Sequence, residues 1–152
     1  MKVACAFDHA GFPLKAVVVE TVAAEGHEVI DLGTWSTDPV DYPDTARLAA
    51  EAVRGEADRA VLVCGSGAGV AVAASKFPGI RAVVAHDTYT AHQSVEHDAC
   101  NILCLGGRVI GPALAADIIR VFLAAEFTEE DRHKRRLAKI DGIEREFLRD
   151  DI

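Results

Sequence analysis

Five short apolar runs, separated by longer mixed segments, set the pattern of the chain. Each run is five or six residues long, and runs of this kind are typical of strands that are buried on both faces. The runs predict strands over residues 2–7, 27–32, 60–64, 80–85 and 101–105. The segments between and after them predict helices over residues 12–24, 42–55, 66–76, from a cap at Asp87 to His97, 112–125 and 129–148. Strands that alternate with helices predict a parallel sheet covered on both faces.

Composition restricts the class of protein. A length of 152 residues predicts a single domain over residues 1–152 with a substantial core. No apolar run reaches transmembrane length, and Asp8 and His9 interrupt the first run too early for a signal peptide, so we expect a cytoplasmic protein with no membrane partner. The net charge of −8 argues against nucleic acid, and an anionic substrate therefore needs a local basic patch.

The four cysteines show neither metal-ligand nor disulfide spacing. They are Cys5, Cys64, Cys100 and Cys104, and this usage fits a reducing compartment. His97 lies near two of them in the sequence, but the spacing matches no zinc pattern. We therefore expect no metal site.

Residues 60–76 carry the strongest local signal for chemistry. An apolar strand ends at Cys64, a turn with three glycines follows from Gly65 to Gly69, and a helix begins after it. This order predicts an anion site, because glycines let backbone N–H groups approach a negative charge closely. The same pattern fits a dinucleotide loop, a phosphate loop or a turn needed only for packing. A thiolate is favoured at the positive end of a helix, although an inert buried cysteine is the alternative for Cys64.

Further candidates follow the other strands or lie on helices. Ligands bind at the carboxyl ends of parallel strands, where Asp8 either caps a helix or serves a site. His97, at a helix end, suits acid–base work near neutral pH. Arg132 and Arg136 are four residues apart and share a helix face that can bind one phosphate, with a solvated face as the alternative. Arg108 is a second phosphate candidate, or else part of a surface ion pair.

Six motifs in a fixed order give the chain a family resemblance. They are Asp8-His9-Ala10-Gly11-Phe12, Asp41-Tyr42-Pro43, Cys64-Gly65-Ser66-Gly67-Ala68-Gly69, Gly79-Ile80-Arg81-Ala82, Gly107-Arg108-Val109-Ile110-Gly111 and Arg132-His133-x-x-Arg136. Over about residues 2–145 the sequence resembles the type B ribose-5-phosphate isomerases, of the family that also holds galactose-6-phosphate isomerase subunits.

The resemblance implies an architecture and an assembly. The expected fold is an α/β, Rossmann-like three-layer sandwich with a five-stranded parallel sheet. The C-terminal helix, over about residues 129–149, is expected to pack on the partner subunit or to reach into it. The expected assembly is a homodimer with shared active sites, or a tetramer of paired dimers. The implied enzyme is an aldose–ketose isomerase of carbohydrate metabolism, in the pentose phosphate pathway, that uses no metal or other cofactor.

The resemblance also implies roles for individual residues. Cys64 is the base that moves a proton between C1 and C2 through an enediolate, and backbone N–H groups of residues 65–70 hold the oxyanion. The other implied catalytic residues are Asp8, Ser66 and His97. The implied substrate-binding residues are His9, Tyr42, Gly65, Gly67, Ala68, Gly69, Val70, Asp98, Arg108, Arg132 and Arg136. Some of these groups, the arginines among them, are expected to come from the neighbouring subunit.

Three positions depart from the family pattern and leave the substrate open. Ala71 replaces a usual serine, Ser75 replaces a usual asparagine, and Asp98 replaces a neutral amide with a negative charge. Asp98 either weakens binding of ribose 5-phosphate or indicates another substrate. The leading interpretation is an isomerase of ribose 5-phosphate and ribulose 5-phosphate. The alternatives are an isomerase of a tetrose, allose or galactose phosphate and a non-catalytic sugar-phosphate binding protein. The glycine spacing disfavours a dinucleotide enzyme.

Overall fold

One sheet of five parallel strands forms the centre of the computed structural model, which describes residues 1–148. The strands are β1 (Lys2–Phe7), β2 (Glu28–Asp31), β3 (Arg59–Cys64), β4 (Ala82–Val84) and β5 (Ile102–Gly106). Their spatial order is β2-β1-β3-β5-β4, so β3 is central. Phe7 pairs with Val63, and Cys64 pairs with Gly106. The carboxyl ends of β1, β3 and β5 therefore lie side by side.

Helices cover both faces of the sheet, which confirms the predicted three-layer α/β sandwich. A 3₁₀ turn (Phe12–Leu14) precedes the helices α1 (Lys15–Ala24), α2 (Tyr42–Gly55), α3 (Ala68–Ala74), α4 (Thr88–Asp98), α5 (Pro112–Ala124) and α6 (Asp131–Phe147). Alternate strand residues enter different layers, because successive side chains point to opposite faces. Thus Val61 and Val63 pack with α1, α4 and α5, whereas Leu62 and Cys64 pack with α2 and α3. Within residues 1–148, no helix combines the length and apolar character that crossing a membrane requires.

Three predicted strands and helices are shorter than the sequence pattern indicates. The strand predicted over residues 27–32 covers only Glu28–Asp31. The strand predicted over residues 80–85 covers only Ala82–Val84, because β4 is an edge strand that pairs with β5 alone. The helix predicted over residues 66–76 covers only Ala68–Ala74. Gly67 has φ +83°, a left-handed conformation that no α-helix includes, and the turn therefore extends to this residue.

Two helix starts also differ from their predicted positions. The helix predicted from residue 12 begins as a 3₁₀ turn, in which the Leu14 N–H donates to the Gly11 carbonyl at 3.0 Å. The helix predicted from residue 129 begins at Asp131, because Glu129 has φ +57° and Glu130 is extended. Asp87 caps α4 as predicted, since its carboxylate accepts the Thr90 N–H at 2.6 Å. Residue 149, the end of the range predicted to contact a partner, lies outside the described residues.

Helix α6 lies largely outside the core, and His133 is its only buried residue among those described. Ile140, Ile143 and Phe147 are 43%, 61% and 68% exposed. Their spacing of three and four residues places them on one side of the helix, which we call the apolar stripe of α6. A 17-residue helix with an exposed apolar stripe is typical of a segment that packs against another chain.

Glycines let the loops after β1, β3 and β5 interlock. A Cβ on Gly11 would overlap the carbonyl oxygen of Val63. A Cβ on Gly107 would lie 2.5 Å from the carbonyl oxygen of Ala10, and one on Gly106 would lie 2.8 Å from the backbone of Ser66. The three loops therefore touch through their main chains, with no room for a side chain between them.

Replacing Gly11 with alanine is expected to destabilise the protein. The backbone of β3 or of the loop after β1 must shift to admit the methyl group, and overpacking of this kind costs about 1–3 kcal/mol. The free energy of unfolding in urea measures the effect. Gly55→Ala is the matched control, because a Cβ at Gly55 meets nothing within 4 Å and should cause no loss. Equal free energies for Gly11→Ala and the wild type would contradict the close contact.

Candidate active site

A cleft of about 430 Å³ opens at the carboxyl ends of β1, β3 and β5. This is the edge at which parallel α/β sheets bind ligands. The cleft is lined by Asp8, His9, Ala10, Tyr42, Cys64, Gly65, Ser66, Gly69, Arg108 and Val109, which we call the cleft group. Eight of these ten were predicted from the sequence, and Ala10 and Val109 were not. Ala10 and Val109 both belong to the family motifs, so their place in those motifs was the sequence signal that could have identified them.

Cys64 ends β3 with its sulfur at the edge of the cleft and is 5% exposed. The Gly67 N–H donates to the Cys64 Sγ at 3.1 Å. The turn through Gly65 and Ser66 brings this N–H group back to the sulfur, and Gly67 then adopts a left-handed conformation directly before α3 begins. A backbone donor on the sulfur stabilises a thiolate, which is both the nucleophilic and the basic form of cysteine.

The other three cysteines lie in surroundings that favour the neutral thiol. Burial raises the pKa of Cys5 to about 12, and the Asp31 carboxylate adds to the effect. Burial likewise raises the pKa of Cys100 to about 11, with Asp98 adding to it, and raises the pKa of Cys104. All three therefore stay protonated at neutral pH, and none of them lines the cleft.

Asp8 and His9 organise the loop after β1. One carboxylate oxygen of Asp8 accepts the N–H groups of Ala10 at 2.9 Å and Gly11 at 2.8 Å, so Asp8 caps this turn and also lines the cleft. The Nδ1 atom of His9 accepts the Val40 N–H at 3.2 Å. This bond ties the polar loop before α2 to the cleft.

The turn after β3 and the start of α2 form another wall of the cleft. The Tyr42 ring packs so closely on Gly69 that a Cβ there would lie 2.9 Å from it. Of the predicted oxyanion donors, the Gly67 N–H is directed at Cys64, and the Ala68 N–H donates to the Ser66 Oγ at 3.2 Å. The N–H groups of Gly69 and Val70 lie in the first turn of α3, where helix geometry supplies no intrahelical acceptor.

Arg108 supplies positive charge to this side of the molecule. It follows β5, is exposed and lines the cleft beside Gly65. No carboxylate among residues 1–148 lies within ion-pair distance of its guanidinium. The Arg108 guanidinium is therefore available to bind an anionic ligand in the cleft.

Seven predicted site residues do not line the cleft: Gly67, Ala68 and Val70 belong to the adjoining turn and first turn of α3, and the other four lie elsewhere. These four are His97 and Asp98 at the end of α4, with Arg132 and Arg136 in α6, and we call them the helical group. The His97 ring stacks on the His133 ring, with centroids 4.1 Å apart and planes inclined by 26°. Asp98 lines a separate depression with Arg81, and Arg132 pairs with Glu130 at 3.1 Å. A single chain therefore holds the predicted site as two separate halves.

Known proteins share this sequence and fold over nearly their whole length. The family model described as Ribose/Galactose Isomerase matches residues 3–140. Ribose-5-phosphate isomerase B of Escherichia coli is 45% identical over 144 residues, which cover 94% of this chain and 96% of that protein. D-erythrulose-4-phosphate isomerase 2 of Mycolicibacterium smegmatis is 42% identical over 147 residues, or 94% and 95% of the two chains. The solved structure of Clostridium thermocellum ribose-5-phosphate isomerase B has a TM-score of 0.93 and 46% identity, and covers 97% and 99% of the chains.

The sandwich, the cleft and these relatives together define an enzyme of the aldose–ketose isomerase type. Within that class, the chain belongs to the Ribose/Galactose Isomerase family. The resemblance drawn from the six motifs is thereby confirmed. The alternatives of a binding-only protein and of a dinucleotide enzyme are set aside, because the relatives described above are named sugar-phosphate isomerases.

Proposed function

We propose that this enzyme interconverts ribose 5-phosphate and ribulose 5-phosphate, with Cys64 as the base. The observation that carries the proposal is the Cys64 sulfur at the cleft, where it accepts the Gly67 N–H at 3.1 Å. Two of the relatives compared above are named ribose-5-phosphate isomerase B, which supports this substrate. The expected setting is the pentose phosphate pathway in the cytoplasm, and no cofactor is required.

The proposed reaction is a proton transfer between two neighbouring carbons. The Cys64 thiolate takes the proton from C2 of the open-chain aldose, and the electron pair moves into the C1–C2 bond to form an enediolate. The negative charge then lies on O1, near the N–H groups of Gly69 and Val70 and the Ser66 hydroxyl. A proton then moves from the O2 hydroxyl to O1, so that the charge passes to O2, and the thiol returns its proton to C1, which yields the ketose. One donor to such an oxyanion is typically worth about 2.7–4 kcal/mol of transition-state stabilisation.

The separation of the two halves of the site supports a shared active site. We propose a homodimer in which the helical group of one subunit completes the cleft of the other, with a tetramer of such dimers as the alternative assembly. His97 of the partner subunit would open the sugar ring, and the partner's Arg132 and Arg136 would join Arg108 on the phosphate. The exposed apolar stripe of α6 supports this dimer, because the stripe and the two arginines belong to the same helix.

Asp98 favours one alternative substrate class. Its carboxylate belongs to the helical group and would add negative charge beside the sugar phosphate. The Mycolicibacterium smegmatis relative is named for a four-carbon substrate, so a tetrose phosphate is the second candidate. Allose and galactose phosphates complete the set of phosphorylated sugars to be tested.

Proton NMR in heavy water tests both the chemistry and the substrate. Chelator-treated enzyme is expected to convert ribose 5-phosphate to ribulose 5-phosphate, with deuterium incorporated at the transferred position. A one-carbon mismatch in a fitted site changes specificity by about 10- to 200-fold, so kcat/KM for the tetrose and hexose phosphates should be lower by at least about tenfold. A higher kcat/KM for erythrose 4-phosphate than for ribose 5-phosphate would show that the proposed substrate is wrong, while the proposed isomerase chemistry would still hold.

A further inference from the structure

His133 is the buried residue of α6 and has a partner on each ring nitrogen. It is 2% exposed. The Thr128 Oγ1 lies 2.6 Å from its Nδ1, and the Arg132 Nε donates to its Nε2 at 3.3 Å. Its ring face stacks on His97. One side chain thus touches both an arginine and a histidine of the helical group.

The two hydrogen bonds determine where the His133 proton lies. A guanidinium Nε always carries a hydrogen and never accepts, so the His133 Nε2 must be the acceptor. A neutral imidazole has one donor and one acceptor nitrogen. The proton is therefore on Nδ1, which donates to the Thr128 hydroxyl oxygen. The opposite tautomer would place two donors, the Arg132 Nε–H and an Nε2–H, against each other.

We propose that neutral His133, protonated on Nδ1, is a positioning residue that holds the Arg132 guanidinium and the His97 ring in place for the substrate of the neighbouring subunit. This inference rests on the proposed roles of Arg132 and His97. His133 need not contact the substrate. It acts because its Nε2 fixes the direction of the Arg132 side chain and its ring face fixes the plane of His97.

The charges around His133 maintain its neutral form. Burial lowers its pKa, the coulombic influence of His97 from α4 and of the cations Arg132 and Arg136 from α6 lowers it further, and Glu130 acts in the opposite direction. The ring is therefore neutral above this lowered pKa. When the pH falls through it, the second proton enters on Nε2, the acceptor for Arg132 is lost, and a new cation faces two others. We expect the KM of the wild type to rise on the acid side for this reason.

The tautomer is tested directly on the full-length wild-type protein. Two-bond ¹H–¹⁵N spectra of histidine rings distinguish Nδ1–H, Nε2–H and doubly protonated forms, and the His133 signals are assigned by their absence in His133→Gln. We expect the Nδ1–H form at pH 7.5. An Nε2–H tautomer or a doubly protonated ring at that pH would overturn the proposal. This result requires no turnover, so it stands even if ribose 5-phosphate is the wrong substrate.

Two substitutions separate positioning from mere support of the fold. The glutamine Oε1 can replace Nε2 as the acceptor for Arg132, whereas asparagine is too short to reach it. Loss of a hydrogen bond to a charged group predicts that His133→Asn raises KM by about tenfold, with a smaller change in kcat. His133→Gln should recover most of this loss and should show a weaker rise of KM at acid pH.

The matched control is His92, a histidine of α4. His92 is exposed and pairs with Glu96 at 2.9 Å, outside both halves of the site. His92→Asn should keep the wild-type KM and its acid rise. Equal KM values for His133→Asn and His133→Gln, or an unchanged acid rise in His133→Gln, would refute a positioning role.

Discussion

Replacing Cys64 with serine is expected to lower kcat by about a thousandfold, since a positioned general base contributes about 10²–10⁴-fold. Serine is nearly isosteric and can still accept the Gly67 N–H, so the turn after β3 should keep its shape. A serine hydroxyl does not ionise near neutral pH, and it therefore cannot take the proton from C2. The readouts are kcat, the rate of deuterium exchange at the transferred position, and the melting temperature, which should stay near that of the wild type.

Cys100→Ser is the matched control for this substitution. Cys100 is half-buried, its thiol is held protonated, and it does not line the cleft. Because Cys100 lies away from the cleft that holds the proposed base, this change is expected to leave kcat within about twofold. Near-normal turnover and exchange in Cys64→Ser would mean that another group of the cleft is the base.

Mixing two damaged variants is expected to restore activity if the active site is shared. Cys64→Ser removes the base from the cleft, and Arg136→Ala removes a phosphate ligand from the helical group. When the two are unfolded together and refolded, roughly half of the two-fold dimers are mixed, and each mixed dimer holds one intact site. Activity should therefore recover to about a quarter of the wild-type value, well above either variant alone.

The control for this experiment pairs two substitutions in the cleft group. Cys64→Ser mixed with Asp8→Asn leaves one damaged cleft in each subunit, so no mixed dimer contains an intact site. No recovery is expected there. If each site lay within one chain, the pair with Arg136→Ala would also fail to recover, and the shared-site dimer would be wrong.

The sheet could be predicted because β1, β3, β4 and β5 consist mainly of continuous apolar runs, while in β2 only Val29 and Ile30, between charged residues, carry the signal. The order of the elements and the α/β class follow from that alternation, and α2 begins at Tyr42 as predicted because Pro43 follows in the first turn. The apolar pattern could not predict features that depend on which strands pair in the sheet or on the dihedral angle of a single residue. Examples are the single pairing of β4, the left-handed Gly67 and the positive φ of Glu129.

The site was predictable only in part, for a related reason. Strand ends of a parallel sheet meet at one edge, so Asp8, Cys64 and Arg108 could be placed together from their order alone. The position of α6 could not be predicted, because helical spacing places Arg132 and Arg136 on one face but does not show which part of the molecule the helix packs against. The contact between His97 and His133 spans 36 residues and follows only from the packing of α4 on α6.

The interlocked glycines have an evolutionary consequence. The loops after β1, β3 and β5 meet main chain to main chain, so a side chain added at Gly11, Gly106 or Gly107 is expected to destabilise the fold. We therefore expect the loops that carry the proposed proton-transfer residues Asp8 and Cys64 to change little during evolution. New substrates must be acquired through positions with free space, such as the exposed Val109 at the mouth of the cleft or Asp98 beyond it. Relatives named for five-carbon and four-carbon sugars, at 45% and 42% identity to this chain, fit that division between a fixed reaction and a variable substrate.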